Sequence, residues 1–475
     1  MDGDGAEPTP FFWPPHEVAT DGSESFEAMA TPKNPKRRAD RRIVHTAGMM
    51  FPDGTLIEPI ASRGNCERLK LAMWNGTRTK IGTEFEHEGK IYQAAALDST
   101  ILNALYLPTH AAPAEPARQL LTDIGRVVVN YTGIPERCVT LVTRFPLSTW
   151  FAPNFSTAAW LAIVGPDSAR GRQLLQLLRC FCRHALRIFD PNLSAICGLP
   201  REWRFTFLIR QPKLSRHAQR VLHAASRRGE YILRQGRLLD VYSPCVVLAD
   251  DPCVLSNGAL QAIEIPAIPD FSEPAVLTDE AMRQIAADFQ PRLLAYFFAN
   301  NSAVQGSAID VAALSFSMRE VARNLAACTP NDVSLQTETV KALREQDDAT
   351  RVARWTDENS VLLESLLSYC HDGKDGAYIG EIAETAEHIL AERGDPRKVN
   401  AKAAGTRLRL MQFRPEPRDR TGYRLKFTDG ARRLIHQLAF AHDVPSVQNG
   451  LALCKYCRDG KDPVGAVGTA SMETS

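Results

Sequence analysis

The sequence predicts an α/β fold. A parallel sheet covered by helices is preceded by a small β unit and followed by a basic helical module. Three observations carry this. Apolar runs at 158–164 (AAWLAIV), 204–209 (RFTFLI), 245–249 (CVVLA) and 260–265 alternate with helix-period segments, as strands buried on both faces do. The first run passes through a turn, from Gly165 to Arg172, into a helix-period stretch over 173–185. Near the other end, residues 396–427 hold ten Lys or Arg and two Asp or Glu; ten minus two is +8, in a chain whose total is +1.

In chain order, residues 1–42 are rich in Pro, Gly and acids, end in a basic run over 33–42, and read as a disordered arm. Residues 43–95 read as a β unit, with a hairpin at Asn75-Gly76 and a second turn at Glu88-Gly89. A unit this small is expected to lean on its neighbour. Residues 96–116 read as a proline-rich linker opening the α/β domain, which extends to 276. Helices follow at 117–131 and at 136–150, the second interrupted at Pro146, and a basic helix at 216–228. Residues 277–354 read as helices opened by Thr278-Asp279-Glu280, with Met282, Ile285, Phe289 and Leu293 on one stripe. They form either a lid over the sheet edge or a bundle that covers the sheet.

The turn after the first strand has the layout of a phosphate-binding loop and lacks its chemistry. Such a loop reads G-x-x-x-x-G-K-[ST]: glycines let backbone amides wrap phosphate, Lys reaches the β/γ oxygens, and the hydroxyl holds Mg²⁺. Ungapped, Gly165 is the first glycine, Arg170 stands for the second, Gly171 for the lysine and Arg172 for the hydroxyl. With one residue inserted, Gly171 becomes the second glycine, Arg172 stands at the lysine and Gln173 at the hydroxyl. The strand ending near 209 should then present acids for the metal and for water, and presents Arg210 and Gln211. Arg cannot ligate Mg²⁺ and Gln is a poor base.

Residues 117–260 resemble the P-loop ATPase domain of phage- and plasmid-type primase/helicase proteins. The resemblance rests on the helix over 120–131, the stretch Trp150 to Ala158, the Gly165-Pro166 turn, Leu174-Leu175-Gln176-Leu177-Leu178 and the segment 205–215. It implies a P-loop NTPase-like sheet with a helical lid. In that family the second strand tip carries Asp-Glu, so the resemblance supports the fold while the departures argue against hydrolysis and against an enzyme. No cofactor is expected. ATP binding without hydrolysis stays open, through the helix N-terminus with Arg170 and Arg172. So does an ATPase that uses displaced acids, for which Asp250, Asp251 and Glu230 are the candidates.

Residues 355–445 fit a winged helix: helices at 358–370, 380–391 and 398–411, a strand at 377–379, a hairpin wing over 413–427 turning near 420–422, and a closing helix from Thr428 to Ala441. On the third helix Lys398, Lys402, Thr406 and Arg409 recur at spacings of four, four and three and share a face, with Val399, Ala403 and Met411 turned away. The wing adds Arg414, Arg418, Arg420, Arg424 and Lys426. This is the footprint of a double-stranded DNA contact made mainly to phosphates. A solvated basic face and a protein-binding module are the rival readings. An active ATPase is a second expected partner, and a mobile-element or replication setting fits the combination.

The tail from 446 holds one C-x-x-C, Cys454 and Cys457. With no second pair nearby it is a weak metal signal, His442 being a third-ligand candidate and His436 lying in the closing helix. Eleven scattered cysteines, several in apolar strings, suit buried thiols in a reducing cytoplasm. No apolar run reaches the length of a membrane span and no signal peptide opens the chain, so a cytoplasmic protein without membrane contact is expected.

Overall fold

The structure is a computed structural model and describes residues 42–62, 65–165, 168–189, 193–211, 216–234, 236–249, 262–267, 274–305, 309–442, 444, 454, 456 and 457. The arm before 42, Asp250 and Asp251, and the tail beyond 457 lie outside these residues. The chain divides into two compact units, Met1–Leu343 and Arg344–Ser475.

Alternating apolar and polar residues open the first unit with seven strands: β1 (Ile43–Thr46), β2 (Met49–Met50), β3 (Leu56–Ser62), β4 (Asn65–Trp74), β5 (Thr79–Gly82), β6 (Glu84–His87) and β7 (Lys90–Ala94). They form an antiparallel sheet, β2-β3-β4-β5, and a second sheet, β1-β7-β6, in which β1 and β7 run parallel. Both predicted turns form. Asn75 Oδ1 accepts from the amides of Thr77 and Arg78. Glu88 and Gly89 take φ of 49° and 74°, the positive pair that a two-residue hairpin needs.

The expected linker contains a short helix, α1 (Ser99–Ala104), capped by Asp98. Next come α2 (Ala117–Thr132), closed by Gly133 at φ 56°, and α3 (Glu136–Phe151). Pro146 was expected to interrupt α3 and does not. Residues 141–151 of this helix are all buried, and that packing outweighs the lost amide.

The central sheet follows: β8 (Trp160–Val164), α4 (Ser168–Leu178), β9 (Ala185–Phe189), α5 (Leu193–Gly198), β10 (Thr206–Arg210), α6 (Arg216–Ser226), a hairpin of β11 (Tyr231–Arg234) and β12 (Arg237–Asp240), β13 (Cys245–Ala249) and β14 (Ile263–Pro266). Five strands run parallel in the order β14-β8-β13-β10-β9. Leu161 and Ile163 join the core beneath α2, α3 and α4, while Trp160, Ala162 and Val164 join the core on the opposite face with α6. This period of two, with both faces covered, is the expected P-loop NTPase-like α/β architecture. All strand C-termini share one edge, and β8 sits where the strand order reverses, the place such sheets offer to ligands.

One element departs from expectation here. The helix predicted over 173–185 ends at Leu178, and β9 begins at Ala185. The apolar residues between, Cys180, Phe181 and Cys182, are fully buried without being helical. Their carbonyls are satisfied by Gln290 Nε2, at 3.0 Å from Cys180 O and 3.3 Å from Cys182 O, and by Trp150 Nε1, at 3.0 Å from Phe181 O.

The helices α7 (Asp279–Gln305), α8 (Phe316–Ala327) and α9 (Val333–Arg354) follow, the first opened by Thr278 Oγ1 accepting from Ala281 N. α7 packs on α3 through Tyr296 and Phe297 against Phe151. Arg292 of α7 donates to Glu115 at 2.7 and 2.9 Å and to Asp123 at 2.6 Å, tying α7 to α2. No helix among the described residues is long and apolar enough to cross a membrane.

The second unit comprises α10 (Glu358–His371), β15 (Gly376–Tyr378), α11 (Ile379–Glu392), α12 (Ala401–Leu410), β16 (Arg424–Lys426) and α13 (Asp429–Ala441). Asp357, Asn400 and Thr428 cap α10, α12 and α13 by accepting amide hydrogens. β15 and β16 pair antiparallel, with Ala377 opposite Leu425. The expected hairpin over 413–427 supplies only one strand. Its two arms are instead drawn together by Glu416 N to Arg424 O at 2.7 Å and Asp419 N to Gly422 O at 3.0 Å.

A buried ion pair fastens the β unit to the central sheet. Arg183, in the turn after α4, donates to Glu58 of β3 at 2.6 Å (Nε to Oε1) and 2.9 Å (Nη2 to Oε2), and both side chains are at most 6% exposed. His184 Nε2 lies 3.2 Å from Glu58 Oε1, and its Nδ1 donates to Trp203 O at 2.7 Å, since a carbonyl can only accept. Gly48, at φ +125°, is required beside the pair, because a Cβ there would press on the Arg183 guanidinium and the Glu58 carboxylate. Burial raises the Glu58 pKa, but the Arg183 charge beside it outweighs that and holds the carboxyl below its ordinary range. Removing one member of such a pair leaves a bare buried charge, at a cost of about 3–5 kcal/mol. Glu58→Gln should lower unfolding stability by that amount. Urea titration followed by tryptophan fluorescence in a Trp355→Phe background reads this unit, because Trp74, Trp150, Trp160 and Trp203 lie in it and Trp355 lies in the second. The folded pKa of Glu58 is below the unfolded one, so its contribution is complete above about pH 4.3 and lost as pH falls through the folded value. The variant should show a flatter acid limb.

Candidate functional site

The sheet edge gathers the residues expected at the phosphate-turn positions, and there Gly165, Gly171 and Arg170 have packing roles. Gly165 closes β8 at φ +143°, and a Cβ on it would stand 2.6 Å from the carbonyl oxygen of Ala267, just beyond β14. α4 already begins at Ser168, so two residues separate Gly165 from the helix where the motif spaces four between its glycines. Pro166 and Asp167 lie outside the described residues. Gly171 sits within α4 against the sheet, where a Cβ would come within 2.6 Å of Leu248 Cδ1 and 3.3 Å of Ile163 Cγ2. It is a close helix–sheet contact. The crevice bounded by Ile134, Ile163, Arg170, Gly171 and Pro266 does not admit a water-sized sphere.

The arginines are similarly placed. Arg170 is half-buried, and its Nη1 lies 3.4 Å from the carbonyl oxygens of Thr132 and Gly133, at the negative end of α2. Arg172 is exposed on α4. Arg210, at the tip of β10, lies over the Phe189 ring at 5.6 Å, and Gln211 N donates to Leu248 O at 3.1 Å. β13 lies between β8 and β10, so two strand spacings of roughly 4.8 Å put the two tips about 10 Å apart. Of the displaced acids, Glu230 lies 3.5 Å from His223 at the end of α6. The groups present do not fit a Mg²⁺–nucleotide: no ammonium, no hydroxyl and no carboxylate occupies the motif positions.

The second unit concentrates cations. α12 follows α11 through a turn held by Val399 N donating to Glu387 Oε1 at 2.8 Å. Ala404, Gly405 and Leu408 face the core, and Gly405 allows α12 to approach Ile379, where a Cβ would stand 3.3 Å from Cδ1. Lys402, Thr406 and Arg409 are exposed, as the spacing predicted. Lys398 is exposed too, but it precedes the helix, which starts after Asn400. Val399 is buried, whereas Ala403, expected to turn inward, is exposed. The loop and strand after α12 expose Arg414, Arg418, Arg420, Arg424 and Lys426.

Two contacts shape this loop. Asp419 Oδ1 accepts from Thr421 N and Gly422 N at 2.8 Å each, and Tyr378 Oη donates to its Oδ2 at 2.8 Å. These amides, the Gly422 amide foremost, hold the Asp419 carboxyl below its usual range. Arg409 of α12 lies over the Tyr423 ring at 5.6 Å, linking helix and loop. Of the ten cations over 396–427, Arg397 pairs with Asp395 at 2.5 Å and Arg407 pairs with Glu358. The other eight carry no ion pair among the described residues.

Cys454 and Cys457 meet two histidines, His371 and His436, that sequence spacing could not join to them; His442 is not in the group.

No family model and no curated protein matches the chain. Solved structures similar to it include two A-form apo structures of the NrS-1 C-terminal region, at 12% identity and TM-scores of 0.33 and 0.35, each covering 78% of this chain and 96% of that one. Others are Cdc6p from Pyrobaculum aerophilum, at 12% identity and TM-score 0.17, covering 73% and 99%, and Drosophila ORC bound to DNA, at 11% and 0.17, covering 75% and 95%. Likenesses of this size carry no argument for function; the fold assignment rests on strand order and register.

Because its left-handed φ and the Ala267 carbonyl leave Gly165 no room, Gly165→Ala should destabilise the first unit by about 1–3 kcal/mol. Denaturant unfolding by tryptophan fluorescence checks this, and an unchanged midpoint would remove the close approach as the reason for the glycine.

Proposed function

We propose that this chain binds double-stranded DNA through a winged helix in its second unit, and that its sheet domain is a P-loop-type scaffold that does not hydrolyse nucleotide. The carrying observation is the set of eight exposed cations without ion pairs: Lys398, Lys402, Arg409, Arg414, Arg418, Arg420, Arg424 and Lys426. Like charges this dense repel one another, and a polyanion relieves the repulsion while releasing its counterions. α12 is the recognition helix in this reading and the 413–427 segment the wing. Contacts of this kind go mainly to phosphates, so they set affinity and register more than sequence preference.

The non-hydrolysing half of the reading is supported by Arg210 and Gln211 at the strand tip, by the short turn after Gly165, and by the packing roles of Gly171 and Arg170. A chain that grips DNA without turning over ATP fits an accessory partner of an active ATPase in replication or in a mobile element.

Duplex binding measured across salt concentrations tests the first half. Lys402→Glu with Arg409→Glu should weaken binding roughly 10- to 100-fold near physiological salt and flatten the salt slope by about 2. Unchanged affinity would leave the unit a protein-binding module. Phosphate release from ATP and Mg²⁺ tests the second half. The expected result is none above the buffer blank, and turnover near the usual 1 s⁻¹ or more would show an ATPase working with other acids.

A further inference from the structure

Four ligating side chains from three separate stretches converge in the second unit. They are His371, the last residue of α10; His436, midway along α13; and Cys454 and Cys457 from the tail. Their ligand atoms all lie within 4.8 Å of one another. Cys457 Sγ is 3.3 Å from His371 Nε2, and Cys454 Sγ is 3.3 Å from His436 Nε2. From this the geometry points to a structural zinc site, Cys₂His₂, that staples the C-terminal tail onto the α10–α13 pair.

The distances fit that ion. Zn–S bonds of about 2.3 Å and Zn–N bonds of about 2.0–2.1 Å give tetrahedral edges of roughly 3.3–3.8 Å. The two 3.3 Å contacts are at the short end of that range, and the 4.8 Å limit leaves the remaining edges a small contraction to make. Donor type fits as well: two sulfurs and two imidazole nitrogens are a set zinc takes in closed structural sites. The C-x-x-C supplies both thiolates from one turn of chain.

One histidine is already oriented for the task. His436 Nδ1 donates to the carbonyl oxygen of Arg432 at 2.7 Å, which leaves the lone pair on Nε2, the atom that faces Cys454. Metal-bound imidazoles are held in this way by a second hydrogen bond. The site is shielded: His436 is 2% exposed and Cys457 is fully buried. Tyr456, between the cysteines, stacks near the His436 ring at 5.3 Å and donates to Asp429 at the start of α13. All four positions are filled by protein, so no open coordination site remains for catalysis. The role is mechanical: α13 closes the basic module, and the ion fixes its second half to α10 and to the tail.

The test uses the full chain, expressed in zinc-supplemented medium and purified without chelator. Elemental analysis should find about one zinc per chain, and Cys454→Ser with Cys457→Ser should bring it near zero. If that variant does not fold, the wild-type protein exchanged into Co²⁺ decides the matter. It should show the visible ligand-field bands of tetrahedral cobalt with thiolate charge transfer in the near ultraviolet. In a Trp355→Phe background, whose remaining described tryptophans all lie in the first unit, chelation should then lower the thermal midpoint of the second unit while leaving the tryptophan-detected transition of the first in place. A chain without zinc and without tetrahedral cobalt bands overturns the site. So does an intact mass two hydrogens light with no free thiol at Cys454 or Cys457, which would make the pair a disulfide.

Discussion

Glu58 and Arg183 are the interaction on which the first unit depends. An ion pair this deeply buried is expensive to desolvate, and it repays that cost only with near-ideal geometry and full hydrogen bonding. Both conditions are met here, with two short bonds between the partners and a third from Arg183 Nη2 to Ala47 O at 3.3 Å. The pair joins β3 to the turn that ends α4, so the β unit and the central sheet share one anchoring point. The same turn receives Gln290 from α7 and Trp150 from α3. Three layers of the unit therefore meet at a non-helical segment that an apolar pattern alone would continue as helix.

The far edge of the sheet is packed differently. At the end of β8 a phosphate loop would need several amides, a lysine and a hydroxyl. The chain instead uses the space for close packing, with Gly165 against the Ala267 backbone and Gly171 against Leu248 and Ile163. Arg170 satisfies carbonyls at the end of α2, and Arg210 rests on Phe189. At this edge the glycines and arginines make contacts within the protein.

The second unit treats its charge in the opposite way. Two of the ten cations near α12 are tied to acids within the unit, and eight stay exposed without ion pairs. A core of leucine and isoleucine from α10, α11 and α13 keeps the module compact despite this repulsion. Asp419 spends its charge on the amides of the loop turn, so it shapes the loop while neutralising little of the surface.

The order of elements was legible in the sequence because it follows from local patterning. The runs at 245–249 and 204–209, the cap at Thr428 and the turn at Glu88-Gly89 all depend on neighbours within a few residues. The exposed face of Lys402, Thr406 and Arg409 was legible for the same reason, since helical spacing is a local property. What tertiary structure decided involves partners far apart in the chain. Pro146 is tolerated inside α3 because its surroundings are buried, and residues 179–184 leave the helix because Gln290 and Trp150 take their carbonyls. Only the fold gives Gly165 and Gly171 their reason, because the atoms they make room for belong to other strands. The cluster of His371, His436, Cys454 and Cys457 has the same origin. No spacing rule spans the distance from α10 to the tail, and those side chains meet because α10 and α13 share a core.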